Sequence, residues 1–330
     1  MQPFELALPE GRKTTGLIHF PAQSSRKRIS TPSIVTLHGG TYTASYFNVD
    51  DEHSIGNIAK ALGAPVVCVT RPGYGDSSVQ PRDSDETWIH QQGRFFHETI
   101  LPAIWQEYGG AKTNSTSIVL LGHSVGGGVV IATAARYSTE NSPKYPLSGL
   151  VTSGISSTVS KALAQQQEPG GNVEEAQKVE NKSTQNDGTF LWPIAMKDQL
   201  LLCSNMNLCS PSILEASESL NAPIPAPETL DVQKQWFEYW RELAAEVKVP
   251  HMNTMPEYDW LWEVNREIME DFGRAFESCP RMEISILPEA PHCIELSRQS
   301  EAWYFRSFGF AMECAGAFDL KKGRSGQVSK

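Results

Sequence analysis

The sequence predicts a doubly wound α/β fold, a mostly parallel sheet with helices on both faces and a helical insertion late in the chain. Three observations predict it. Short runs rich in β-branched residues alternate with segments whose apolar residues recur at helical spacing. The turn Gly122-His123-Ser124-Val125-Gly126-Gly127 joins one such run directly to a helix of small apolar residues. Residues 153–246, lying between two sheet-forming runs, far exceed the roughly 30 residues of a plain βαβ crossover.

Residues 4–8 and 16–20 read as two opening strands around a Pro-Glu-Gly turn. A buried strand at 33–37 ends in His38-Gly39-Gly40, a helix follows over 55–62, and the next strand, 65–69, leaves through the Gly/Pro turn of 70–77. Helical spacing of Trp88, Phe95, Phe96, Ile100, Ile104 and Trp105 covers 87–108. The strand 117–121 then enters the glycine-rich turn and a helix, and 147–152 is the next strand. The insertion opens with a polar stretch, 165–187, that reads as a loop. Apolar material follows at 190–196 and 200–202, then a Pro-rich link over 222–227 and a helix over 230–245 carrying Trp236, Phe237 and Trp240. Regular alternation returns with a strand over 247–255, a helix over 264–276, a strand over 282–287 and a final helix over 300–317. The expected division is a core of 1–152 and 247–320, an inserted helical cap of 153–246 and a flexible tail of 321–330.

Composition narrows the function without naming it. Of 330 residues, 40% are hydrophobic and 20% charged, as in an ordinary globular protein, and the formal net charge of −10 disfavours nucleic acid or an anionic membrane as the main partner. No apolar run reaches the length of a membrane span, and the N-terminal residues carry no signal-peptide pattern. The six cysteines show neither Cys-x-x-Cys nor zinc-finger spacing, so they read as reduced thiols and the protein as cytoplasmic. There is no P-loop, dinucleotide fingerprint or metal cluster, so no cofactor is implied. A homodimer is compatible with these features.

A strand turning sharply into a helix at G-x-S-x-G has a mechanical meaning. The glycines remove Cβ atoms where the backbone is crowded, and the serine is pushed out above the sheet at a helix N-terminus, whose dipole favours developing negative charge. This stretch resembles the nucleophile elbow of the α/β-hydrolase superfamily, and the insertion resembles the cap of its capped serine hydrolases. The resemblance implies Ser124 as nucleophile and the chain order serine, acid, histidine. Only His251 and His292 follow Ser124; His251 falls within a strand, whereas His292 lies in a loop resembling the family's histidine loop and is the expected base. The acid that the resemblance implies is Asp259, nine positions after Pro250 as in the family's usual spacing, with Glu257 as runner-up. The resemblance places the oxyanion donors at the backbone of Val125 and Gly40, with Thr41 second to Gly40. It gives the turn Arg71-Pro72-Gly73-Tyr74-Gly75-Asp76-Ser77 a scaffold role, with Thr70 where the family's aspartate usually stands, and places His123 beneath the elbow. Tyr42, Tyr46, Trp192, Trp236 and Trp240 are candidates for the substrate pocket.

The function implied is a serine hydrolase cleaving an ester, thioester or related acyl bond of a bulky apolar small molecule, of a kind found in secondary metabolism, through an acyl-enzyme on Ser124. An acyltransferase, C–C bond hydrolase or lyase/cyclase on the same residues is the first alternative. A non-catalytic ligand-binding protein of the same fold is the second.

Overall fold

In the computed structural model, residues 1–21, 30–161, 163–164 and 188–328 are described. The polar loop expected over 165–187 lies outside them. Eight strands form one sheet in the order β1-β2-β4-β3-β5-β6-β9-β10. They are β1 (Gln2–Ala7), β2 (Lys13–His19), β3 (Pro32–Leu37), β4 (Val66–Thr70), β5 (Ser117–His123), β6 (Leu147–Ser153), β9 (His251–Tyr258) and β10 (Met282–Pro291). A separate small ribbon pairs β7 (Thr189–Phe190) with β8 (Ile224–Pro225). β2 runs antiparallel to β1 and β4, and every other pairing in the main sheet is parallel. The four strands β3 to β6 are buried along their whole length, which explains their continuous apolar and β-branched runs.

Helices cover both faces. On one lie α1 (Ile55–Leu62) and α10 (Ser300–Val328), which pack on each other and on the central strands. On the other lie α2 (Trp88–Phe95), a π-turn at Phe96–Ile100, α3 (Leu101–Tyr108), α4 (Val125–Thr139) and α9 (Arg266–Arg274). The two apolar cores sit above and below the sheet, one around Val129, Ile131 and Leu150, the other around Tyr46, Met252 and Phe308.

Between β6 and β9 the described chain adds no strand to the main sheet. It forms α5 (Ile194–Leu202), α6 (Pro211–Ala216), α7 (Ala226–Leu230), a π-turn at Asp231–Gln235 and α8 (Trp236–Glu246). α8 is not set apart from the core: it packs directly on α4, with the Trp236 ring 3.4 Å from where a Cβ on Gly128 would stand. The strand expected from residue 247 begins at His251, because Val247 closes α8 through its N–H on the Ala244 carbonyl and Pro250 has no N–H to offer a ladder. α10 runs past its expected end into the polar segment 321–328, which contains no proline to stop it. All six cysteines are free, Cys203 and Cys209 included. Among the described residues no helix is long and apolar enough to cross a membrane.

Candidate active site

The site is assembled from loops leaving the C-terminal ends of β3, β5, β9 and β10, where ligands gather in open α/β sheets. At the end of β5, Ser124 holds φ 53° and ψ −123°, a conformation that costs a non-glycine residue on the order of 1–3 kcal/mol. Its surroundings over-determine it. The Ser124 N–H donates to the Ser153 carbonyl at 2.8 Å, and α4 starts immediately after. Gly126 is required by close approach, since a Cβ there would lie 2.3 Å from the Leu37 carbonyl oxygen. The Val125 N–H, in the first turn of α4, has no acceptor within the helix.

Two side chains from the sheet's far edge meet. His292, just beyond β10, places Nδ1 2.8 Å from Asp259 Oδ2 just beyond β9, and both side chains are almost fully buried. Asp259 Oδ1 accepts the N–H groups of Leu261 (2.8 Å) and Trp262 (3.1 Å), so the carboxylate is locked in place with Oδ2 turned to the imidazole. A carboxylate oxygen can only accept, so Nδ1 carries the proton and Nε2 is left with its lone pair. Glu257 points elsewhere: its Oε2 accepts the Glu289 N–H at 2.9 Å on the exposed edge.

The loop after β3 lies against the elbow, with a Cβ on Gly39 set to fall 3.0 Å from Ser124 Cβ. Gly40 and Thr41 follow. Thr41 has φ 65°, an outlier for a β-branched residue, and its carbonyl accepts the Ala222 N–H at 2.7 Å. Beneath the elbow, His123 stacks on Tyr46 with centroids 4.9 Å apart and shares Ser153 Oγ with Glu295. Burial holds His123 well below the ordinary histidine pKa, and His292 beside it acts in the same direction. Burial likewise raises the Glu295 pKa, against the hydroxyls of Ser153 and Tyr46 and the indole N–H of Trp303 that donate to it.

Ser124, His292, Gly40, Thr41 and Val125 line one cavity. Of the aromatic residues expected there, Tyr42 and Trp192 line it; Tyr46, Trp236 and Trp240 do not, which corrects the sequence-based expectation. Tyr46 is spent beneath the elbow on His123 and Glu295. Trp236 and Trp240, four residues apart, share the face of α8 turned to the core, where Trp240 stacks on Phe272 at 5.0 Å. Phe237, one position round the same helix, faces the cavity instead, which the composition of the helix does not reveal. Its companions Ile224, Val232, Leu261 and Trp262 complete an apolar wall. No local pattern announces the cavity's acid, Glu228, because its partners lie more than 130 residues away in sequence.

The chain belongs to the alpha/beta hydrolase family, whose pattern matches residues 34–303. Among solved structures it is similar to a thermophilic esterase from Thermogutta terrifontis, with a TM-score of 0.60 at 15% identity over 96% of this chain and 100% of that one. It is likewise similar to a proline iminopeptidase from Mycobacterium smegmatis (TM-score 0.58, 16% identity, 96% and 99% covered). A monoacylglycerol lipase from Paleococcus ferrophilus matches with a TM-score of 0.56 at 17% identity over 86% and 96%. At these identities the likeness concerns the fold. No curated protein matches the sequence.

Proposed function

We propose that the protein is a serine hydrolase that cleaves an ester, thioester or related acyl bond of a bulky apolar small molecule through an acyl-enzyme on Ser124. One observation carries the reading: the buried Asp259–His292 hydrogen bond opens onto the same cavity as a serine held at positive φ. A serine hydroxyl needs a base, and Nε2 of His292 is the lone pair this arrangement leaves for it. Ser124 attacks the acyl carbon while His292 takes its proton. Asp259 fixes the tautomer and stabilises the imidazolium without itself being protonated. The N–H groups of Val125 and Gly40 receive the oxyanion. His292 returns the proton to the leaving group, and water reverses the sequence to free the acid. The wall of Trp192, Ile224, Val232, Phe237, Leu261 and Trp262 supports an apolar acyl or alcohol part. The inserted segment 153–246, in its described part, acts as the cap over this site.

The test is labelling by a fluorophosphonate probe and turnover of short p-nitrophenyl esters, with Ser124→Ala beside the native sequence. Labelling and turnover that vanish in Ser124→Ala are the expected result. A native protein that neither labels nor turns over sinks the reading.

A further inference from the structure

Arg71, given only a scaffold role by its turn, is fully buried and directs three of its donors at the oxyanion loop. Its Nε donates to the His38 carbonyl at 2.7 Å and its Nη2 to the Gly39 carbonyl at 3.2 Å. Its backbone N–H donates to His38 Nε2 at 2.9 Å, which makes that nitrogen the acceptor and places the ring proton on Nδ1. Nδ1 then donates to the same Gly39 carbonyl at 2.7 Å. Burial and the neighbouring guanidinium hold His38 well below the ordinary histidine pKa, so it stays in this neutral form.

The Gly39 carbonyl is therefore fixed by two donors. In a trans peptide the following N–H points the opposite way, and the described chain has no cis peptide bonds. Holding the Gly39 oxygen toward Arg71 thus turns the Gly40 N–H away from Arg71, and Gly40 lines the cavity beside Ser124.

What holds Arg71 comes from the inserted segment. Glu228, on α7, grips the guanidinium with both oxygens, Oε2 to Nη1 at 2.7 Å and Oε1 to Nη2 at 2.8 Å. Trp88 Nε1, the Tyr74 hydroxyl and Gln92 Oε1 complete the shell. Burial opposes the charge on Arg71, but Glu228 beside it keeps the arginine pKa above its ordinary value. The insert touches the loop again where Ala222 N–H meets the Thr41 carbonyl.

We infer that Glu228 and Arg71 are positioning residues for catalysis, through which the inserted segment sets the direction of the oxyanion-binding N–H of Gly40. The inference rests on the serine-hydrolase reading. A donor of this kind acts on the tetrahedral intermediate and hardly on the bound ester, so its misalignment lowers kcat and leaves KM nearly unchanged. Outright loss of one oxyanion donor costs on the order of 10²–10³ in kcat, and a misdirected donor should cost on the order of 10–10².

The test compares Glu228→Gln with the double variant Arg71→Met/Glu228→Gln, using p-nitrophenyl butyrate and the matching trifluoromethyl ketone as a tetrahedral mimic. Breaking a buried pair by one partner destabilises the fold, whereas removing both charges restores much of the stability. Glutamine at 228 keeps one acceptor oxygen for the Trp88 indole N–H, and its NH2 can donate to the Tyr74 hydroxyl oxygen. The expected result is a melting temperature that recovers in the double variant while kcat does not, with affinity for the ketone falling in step with kcat and KM little moved. If kcat returns with stability, or ketone affinity equals that of the native protein, the pair is structural only and the inference is overturned. A native protein inert to both the ester and a fluorophosphonate overturns the hydrolase reading, and this inference with it.

Discussion

Replacing Asp259 with asparagine exchanges one oxygen for an amide nitrogen inside a pocket with no room for an alternative. The two backbone N–H groups of Leu261 and Trp262 require an acceptor, so the asparagine carbonyl oxygen takes the place of Oδ1. Its NH2 then occupies the place of Oδ2, 2.8 Å from His292 Nδ1. Two donors cannot face each other, so the imidazole proton moves to Nε2 and the lone pair needed to deprotonate Ser124 disappears. Burial denies water the chance to repair the contact, since the Asp259 side chain is 0% exposed. The same exchange in a serine protease lowers kcat by about 10⁴, or about 5 kcal/mol of transition-state stabilisation. Glu257→Gln is the matched control, because its contact with the Glu289 N–H survives in an amide oxygen on the exposed edge. Steady-state turnover of p-nitrophenyl acetate, with thermal melting to show that each variant is folded, separates them. A folded Asp259→Asn protein within tenfold of native kcat, or an equal loss in Glu257→Gln, would refute the assignment.

Three further outcomes are expected. His251 is buried against Phe276 with its pKa pushed down to about 3, so it is neutral in the folded protein while the unfolded chain binds a proton below about pH 6.5. Its contribution is present at neutral pH and lost as pH falls toward 3; between pH 7 and pH 5 that loss is about 2 kcal/mol, and denaturant melts of His251→Gln should show the pH dependence reduced by that amount. Trp236→Ala should cost about 3–5 kcal/mol of stability with kcat of the folded fraction intact, whereas Trp192→Ala should raise KM for long-chain p-nitrophenyl esters with little change in melting; the reverse pattern would place the cavity elsewhere. Gly126→Ala forces a Cβ to within 2.3 Å of the Leu37 carbonyl oxygen and should cost about 3 kcal/mol or more by over-packing, together with a collapse of kcat; a variant that melts and turns over like the native protein contradicts the packing account.

The sheet was legible because its physics is local. Fully buried parallel strands write themselves as continuous runs such as Ile34-Val35-Thr36-Leu37, and the crowding at the β5–α4 turn admits only glycine at 122 and 126. The order of the site residues was legible for the same reason, since each follows the end of a recognisable strand. The aromatic residues were less so. Trp236, Phe237 and Trp240 look alike in composition, and only the helical phase that puts 236 and 240 on the core side sends 237 to the cavity. Least visible was Glu228, one carboxylate on the short helix α7 just past the Pro-rich link, whose partners Arg71, Tyr74 and Trp88 come from other parts of the fold. A pairing across such distances leaves no periodicity to read.

The short stretch from Ile224 to Phe237 carries both three residues of the apolar wall, Ile224, Val232 and Phe237, and the carboxylate that grips Arg71. On the proposed function, selectivity and rate would therefore be set by the same few residues. A designer who transplants another relative's insert to change what is accepted would also release the guanidinium, and activity would fall even toward substrates that fit. Retaining a carboxylate at 228 while varying 224, 232 and 237 separates the two properties and gives the library in which new preferences can emerge without loss of speed.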